Sequence, residues 1–459
     1  MLTYNLQRRP LYLALYHALR HDITTAALAQ GEKLPAKRPF AEHLGVSVMT
    51  VEGAYSQLCA EGYLEARPRQ GYFVAQGQFG VPSATKPAPM VTPAVAPTWT
   101  SDLHSNRIDA AAFPFATWSK LVRQVLSQEG THLLDPLPNQ GLPALREAIA
   151  QDLHQYRGMQ VSPEQIFIGA GAEYCYLLLA QLLQEEGAIA VEDPCYGKIR
   201  QVYTQAGREI RPITLDEHGL DITALSASGA RIAHLSPSHQ YPSGVVMPIG
   251  RRQALLQWAE QVDGYLIEDD YDSELRLTAR PIAPLQSIDT HGRVIYLNTF
   301  SQTIAPSMRL GFVVLPPKLL ERYRQRLYFY ASTVPSMEQH VLAQFLSQGY
   351  YQRHLSRMRK EYRQRRLAVL QAFAAAPFAD KITIHEEGAG LHFLMTVDTP
   401  YDDETLGRRS QELGLRLGFL SDYAMENPHQ YQGVLVVNYA SLDIHRLPQV
   451  VEALGNLLA

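Results

Sequence analysis

Apolar side chains recur at Leu11, Leu15, Ala18 and Leu19, and this spacing of four, three and one predicts a helix within residues 7–21. Asp22–Lys33 reads as a second short element with a turn at Gly31. A helix is expected over Lys37–Leu44, broken at Gly45. Ser47 then caps a further helix that carries Val51, Ala54, Tyr55 and Leu58 on one side. Helix, three-residue turn, helix is a helix-turn-helix pattern. Two strands follow, at residues 62–67 and 71–75, joined through Pro68, Arg69 and Gln70.

Periodicity stops over residues 76–100, which hold five prolines and no acidic residue, and an extended, semi-stiff linker is expected there. From about Asp102 the pattern alternates. Strands are expected at Ile166–Gly169, Ala188–Val191, Ile232–Leu235, Tyr265–Glu268, Val294–Leu297 and Phe312–Leu315. Helices are expected at Tyr174–Gln184, Lys198–Ala206 and Arg251–Val262. Such alternation implies a mostly parallel sheet flanked by helices. Beyond Glu321 comes a long helical stretch and then a smaller α+β unit with strands at Ile382–His385, Gly390–Val397 and Val434–Asn438.

Composition adds bounds. A chain of 459 residues, 46% hydrophobic and 19% charged, has room for two or three domains with sizeable cores. No apolar run reaches the roughly 18 residues of a membrane span, and Tyr12, Tyr16 and His17 interrupt the N-terminal apolar stretch, which argues against a signal peptide. Cys59, Cys175 and Cys195 are too widely spaced for a disulfide framework or a metal set, and fit free thiols in a reducing cytoplasm. The net charge of −4 is uneven: residues 1–75 carry eight Lys/Arg against six Asp/Glu. A mildly basic head on an acidic body permits nucleic-acid contact. The basic stretch Arg353–Arg366 reads as a surface helix between two parts of the body, with contact to flanking DNA as the alternative.

The head's motifs run in order: Leu34-Pro35-x-x-Arg38, Ala41-x-x-Leu44-Gly45-Val46-Ser47, Thr50-Val51-x-x-Ala54-Tyr55-x-x-Leu58, Glu61-Gly62-Tyr63-Leu64 and Gly71-x-Phe73-Val74. This run resembles the winged helix-turn-helix of the GntR family over residues 11–75. The resemblance implies binding to double-stranded operator DNA through Arg38, Ser47, Val48, Thr50, Arg67, Arg69, Gln70 and Gly71. Two positions depart from the family: Ala36 stands where Ser is usual, and Val48 where Arg is frequent, which implies an altered operator preference.

In the body, Gly169-Ala170-Gly171-Ala172-Glu173 follows a strand and opens a helix, a place where backbone N–H groups bind phosphate. Glu192-x-Pro194-x-Tyr196, His239-Gln240-Tyr241-Pro242-Ser243-Gly244 and Glu268-Asp269-Asp270-Tyr271 follow, and then Ser301-Gln302-x-x-x-Pro306-x-x-Arg309-x-Gly311. Together these resemble fold-type I pyridoxal 5′-phosphate (PLP) enzymes of the aminotransferase kind. With the head, the whole chain resembles MocR/GabR-type regulators. The implied fold class is α/β: a large domain with a mostly parallel sheet, a small α+β domain, and an N-terminal winged helix-turn-helix. The implied boundaries are 1–75 for the head, 76–100 for the linker and 101–459 for the body, whose large domain ends near 330.

The resemblance assigns the cofactor site to Gly171, Ala172, Glu173, Tyr196, Gln240, Asp269, Tyr271, Ser301, Gln302 and Arg309. Asp269 would ion-pair with the pyridine nitrogen, Tyr271 donate to the ring oxygen, Tyr196 pack on the ring and Arg309 hold the phosphate. Where the family has the Schiff-base Lys, this sequence has Gln302, and a neutral amide neither condenses with an aldehyde nor shuttles a proton. Val436 takes the place of the Arg that holds a substrate carboxylate, and Lys198 is a candidate charge from another side. Three readings follow. One is a non-enzymatic regulator holding PLP, pyridoxamine 5′-phosphate or a PLP–amine adduct non-covalently as its small-molecule effector. Another is a pocket rebuilt for an unrelated anion or for nothing. The last is a working aminotransferase, should Gln302 replace a native Lys. Paired operator half-sites and the usual position of such PLP sites imply a homodimer.

Overall fold

A computed structural model of the chain describes residues 2–6, 10–77, 79, 99–105, 108–277, 282–385 and 390–459. Most of the proline-rich stretch expected to be a linker lies outside the described residues. Contacts divide the chain into two units, Met1–Ala96 and Pro97–Ala459.

In the first unit, helix Leu11–Thr24 buries Leu15, Tyr16, Leu19 and Ile23. It runs past the expected end because Ile23 continues the apolar stripe. Thr25–Lys33 forms turns and one bridging residue, not a second short element. The backbone there bonds elsewhere: Gly31 N–H donates to Val74 O and Leu34 N–H to Tyr72 O, both at 2.9 Å, while Leu28 anchors the loop in the core. Helix Lys37–Leu44 stops at Gly45, whose left-handed backbone (φ 66°, ψ 32°) suits a residue without Cβ. Helix Val48–Ala60 then starts where Ser47 Oγ accepts the Thr50 N–H at 3.1 Å. Val51, Ala54, Tyr55 and Leu58 are buried, and strands Leu64–Arg67 and Gly71–Val74 form the antiparallel wing.

In the second unit an eight-stranded sheet runs in the order Ile166–Gly169, Gly311–Val314, Val294–Thr299, Tyr265–Asp269, Ile232–Leu235, Ile189–Asp193, Ile210–Asp216, Gly219–Leu220. The five strands from Val294–Thr299 to Ile210–Asp216 are parallel, and Gly311–Val314 is antiparallel to both its neighbours. The central strands are buried along their whole length, as expected of a sheet covered on both faces. Ile210–Asp216 was not expected from the pattern; Ile213 alone is buried along it, so it lacks the apolar run.

This topology brings the C-terminal ends of several strands to one edge: Gly169, Asp193, Leu235, Asp269 and Thr299. Arg309 joins them, because it lies two residues before the antiparallel strand that starts at Gly311. Sites of open α/β sheets lie at such an edge. The long helical stretch resolves into Pro317–Arg326, Ser336–Ser347 and Tyr350–Ala374. The small domain is a three-stranded antiparallel sheet, Ile382–His385, His392–Val397 and Val434–Asn438, with helices Asp403–Glu412 and Leu447–Leu458. No helix among the described residues is long and apolar enough to cross a membrane.

Candidate cofactor pocket and DNA-reading head

At the shared edge lies a cavity of about 210 Å³. Its wall includes Ala172, Glu173, Tyr196, Asp269, Tyr271, Ser301, Gln302 and Arg309, eight of the positions assigned to the cofactor site.

Asp269 ends a strand that is buried along its whole length and is itself 5% exposed. Tyr176 Oη donates to its Oδ2, and His234 Nε2 lies 3.4 Å from the same oxygen. Tyr203 Oη stands 2.8 Å from His234 Nδ1. With Tyr203 donating to Nδ1, the ring proton sits on Nε2 and faces the carboxylate. The side-chain bonds of Asp269 therefore fall on one oxygen, leaving Oδ1 for the cavity. Tyr271 Oη is 3.0 Å from His239 Nδ1, which is also 2.9 Å from Asp272 Oδ2. The Tyr271 hydroxyl is also hydrogen-bonded to the Asp272 carboxylate, so giving its hydrogen to a ligand means exchanging that partner. Burial raises the Tyr271 hydroxyl well above its ordinary pKa, so it stays a donor.

The residues expected to hold a phosphate are built differently. Arg309 has a left-handed backbone (φ 50°, ψ 47°) and directs its guanidinium at Gly171, the residue before helix Ala172–Leu182. A Cβ on Gly171 would fall 2.7 Å from Arg309 Cζ, so glycine is required for this approach. Arg309 Nη2 donates to Ala170 O at 3.2 Å and to Glu173 Oε2 at 2.5 Å. Lys198 Nζ donates to the other Glu173 oxygen at 2.6 Å. Burial alone would raise the Glu173 carboxyl; the bonds from Arg309 and Lys198 outweigh it and take it down to about 2.

Gly171 and Gln240, two of the ten expected site residues, are not among those lining the cavity, and Gln240 is engaged by its own neighbours. Its Nε2 donates to Glu192, Pro194 O and Tyr241 O, and its Oε1 accepts from Ser243. The neighbouring Tyr241 lines the wall instead. Glu192, which the motif named without a role, is also in the wall. Burial pushes its carboxyl up to about 8 against the bonds from Ser236 N–H and Gln240, and its Oε1 is buried with no partner among the described residues. Val436 is buried in an apolar cluster with Tyr241 and Leu420, so packing replaces a carboxylate anchor there. In the basic helix, Arg365 donates to Ala440 O and pairs with Asp109, and Arg363 donates to Leu277 O; these arginines are spent inside the body.

On the head, Arg38, Ser47, Val48, Arg67, Arg69 and Gln70 are exposed, and Thr50 and Gly71 half-buried. Arg69 sits at the wing tip with φ 62°, while Arg67 lies over the Phe73 ring and pairs with Glu65. Sequence reasoning missed Met49, which is 81% exposed at the start of the second helix of the motif. Its position away from the Val51–Ala54–Leu58 stripe was the available signal of that exposure.

The ring-facing groups fit a protonated pyridine: an oriented carboxylate, a hydroxyl donor and the Tyr196 ring. The phosphate-facing groups hold an arginine and a helix start, but Glu173 already neutralises them.

Fold and site together define a GntR-type DNA-binding head carried with an aminotransferase-like body. The family model "Bacterial regulatory proteins, gntR family" matches residues 11–74, and "Aminotransferase class I and II" matches residues 102–410. The chain is 33% identical over 462 residues to a protein named as the probable rhizopine catabolism regulatory protein MocR of Rhizobium meliloti, covering 97% of this chain and 93% of that one. It is also 33% identical over 420 residues to the HTH-type pyridoxine biosynthesis transcriptional regulator PdxR of Corynebacterium glutamicum, covering 89% and 88%. An archaeal alanine:glyoxylate aminotransferase shares the body's fold, with a TM-score of 0.70 at 23% identity over 78% of this chain and 90% of that one. The chain belongs to the MocR-type family of helix-turn-helix regulators with an aminotransferase class I and II domain.

Proposed function

We propose that this protein is a DNA-binding transcriptional regulator whose body senses a ligand and catalyses nothing. The ligand is PLP, pyridoxamine 5′-phosphate or a PLP–amine adduct, held without a covalent bond. The observation that carries the reading is Gln302 in the wall of a cavity that also presents Asp269, Tyr271 and Arg309. PLP brings an aldehyde on an electron-poor ring. Asp269 holds the ring nitrogen, Tyr271 the ring oxygen, and Tyr196 covers a face, while Gln302 supplies neither an amine for condensation nor a base for proton transfer. The amine of Lys198 is committed to Glu173 as an ion pair. The relative named for pyridoxine biosynthesis lends support to a B6 ligand.

The head, residues 1–75, reads operator DNA through Arg38, Thr50, Arg69 and Gln70, with Val48 setting base preference. The stretch 76–100 links it to the body at 101–459. The protein works in the cytoplasm as a homodimer, so that two heads meet paired half-sites.

The test compares the protein with Gln302→Lys. Added PLP gives a free-aldehyde spectrum in the former and dialyses away; borohydride fixes it only in the variant. PLP also changes operator affinity of the unaltered protein at least about fivefold. Turnover of an amino donor and a keto acid, a borohydride-stable adduct without the substitution, or operator affinity indifferent to B6 phosphates overturns the proposal.

A further inference from the structure

Three sources of positive potential meet at one point in the cavity wall: the Arg309 guanidinium, the Lys198 ammonium and the start of helix Ala172–Leu182. The group they meet on is the chain's own Glu173, in the first turn of that helix, with Arg309 at 2.5 Å and Lys198 at 2.6 Å. A phosphate needs the same donors. It cannot share them with a carboxylate, because two anions at contact distance repel.

We infer that Glu173 is a resident competitor for the phosphate, so that this site holds a phosphorylated hydroxypyridine less tightly, relative to the same ring bearing a neutral hydroxymethyl arm, than it would without that carboxylate. The inference rests on the B6 reading above and names the residue that limits how tightly the phosphate is held. A phosphorylated ligand enters by removing Glu173 from Arg309. Lys198 is the carboxylate's second anchor, and it stays paired as the exchange occurs. The three side chains are 29–50% exposed, which lets Glu173 swing without unfolding the helix. A neutral arm leaves both ion pairs intact and finds a hydrogen-bond acceptor in the carboxylate.

The experiment titrates pyridoxamine and pyridoxamine 5′-phosphate into the full-length protein and into Glu173→Gln and Glu173→Ala, by calorimetry at low salt. Thermal melts check that each is folded. Neither ligand carries an aldehyde, so adducts with lysines do not enter. Both variants should bind the phosphate about tenfold more tightly, while pyridoxamine changes less than about twofold. If both ligands bind and their ratio is the same in all three proteins, or the phosphate weakens in the variants, the role given to Glu173 is wrong and the B6 reading stands. If neither ligand binds any of the three, the B6 reading itself falls.

Discussion

Replacing Gly171 by alanine tests whether the Arg309 cradle depends on a bare backbone. Gly171 has φ 83° and ψ 177°, a region open almost only to glycine. The added methyl group meets two costs. The backbone conformation costs about 1–3 kcal/mol in any surroundings. The methyl also lands 2.7 Å from Arg309 Cζ and Nη2, so the guanidinium must withdraw. Losing a charge-assisted contact of that kind is worth about 1.5–3 kcal/mol, or roughly tenfold to a hundredfold in affinity for a phosphorylated ligand. Gly187 supplies the control. Its backbone is similar, at φ 81° and ψ −148°, but nothing lies within 4 Å of its absent Cβ. Both Gly171→Ala and Gly187→Ala should lower the melting temperature, by roughly 2–6 °C. Only Gly171→Ala should weaken pyridoxamine 5′-phosphate in a calorimetric titration. Equal binding by the two variants would refute the cradle as described.

Other outcomes follow from the same geometry. Ser47→Ala removes the oxygen that caps helix Val48–Ala60 and should cost the head about 1 kcal/mol, read as an earlier far-UV melt of the isolated transition and weaker operator binding in a gel-shift titration. Glu192 is raised from 4.5 to about 8, so the folded state holds a proton that the unfolded state releases. Its contribution is complete below about pH 4.5 and is lost as pH rises through about 8. Glu192→Gln keeps the neutral shape, so its melting temperature should gain on that of the unaltered protein between pH 5 and 9; parallel curves would contradict the assignment.

The legible parts of the fold were those with a strong local signal. The Ile166–Gly169, Ile232–Leu235 and Ile382–His385 strands have the expected bounds, as does helix Lys37–Leu44 with its glycine stop. Apolar runs and a residue needing positive φ are written in single positions. Ile210–Asp216 was missed because it is mostly half-buried, and Thr25–Lys33 was misread because its backbone bonds reach the distant wing. The site divides in the same way. Asp269, Tyr271 and Arg309 sit in motifs whose spacing is local. Tyr176, Tyr203 and His234 come from three separate elements, and only the sheet brings them behind Asp269. The choice between Gln240 and Tyr241 depends on which of two adjacent side chains faces the cavity, and spacing in a motif does not encode that direction. Glu173 and Lys198 are ordinary surface residues until helix Ala172–Leu182 and helix Gly197–Gln205 place them within reach of each other.

The lopsided bonding of Asp269 carries a consequence for molecular mimicry. With Tyr176 and His234 both gripping Oδ2, the carboxylate cannot turn to hide its other oxygen, and the cavity holds a pointer aimed before any guest arrives. A carbocyclic look-alike of the same outline fills the space yet leaves that oxygen dry and unanswered, a penalty of about 1–3 kcal/mol that a nitrogen heterocycle never meets. On the B6 reading proposed above, the protein would tell aza-aromatics from benzenoids through a single atom.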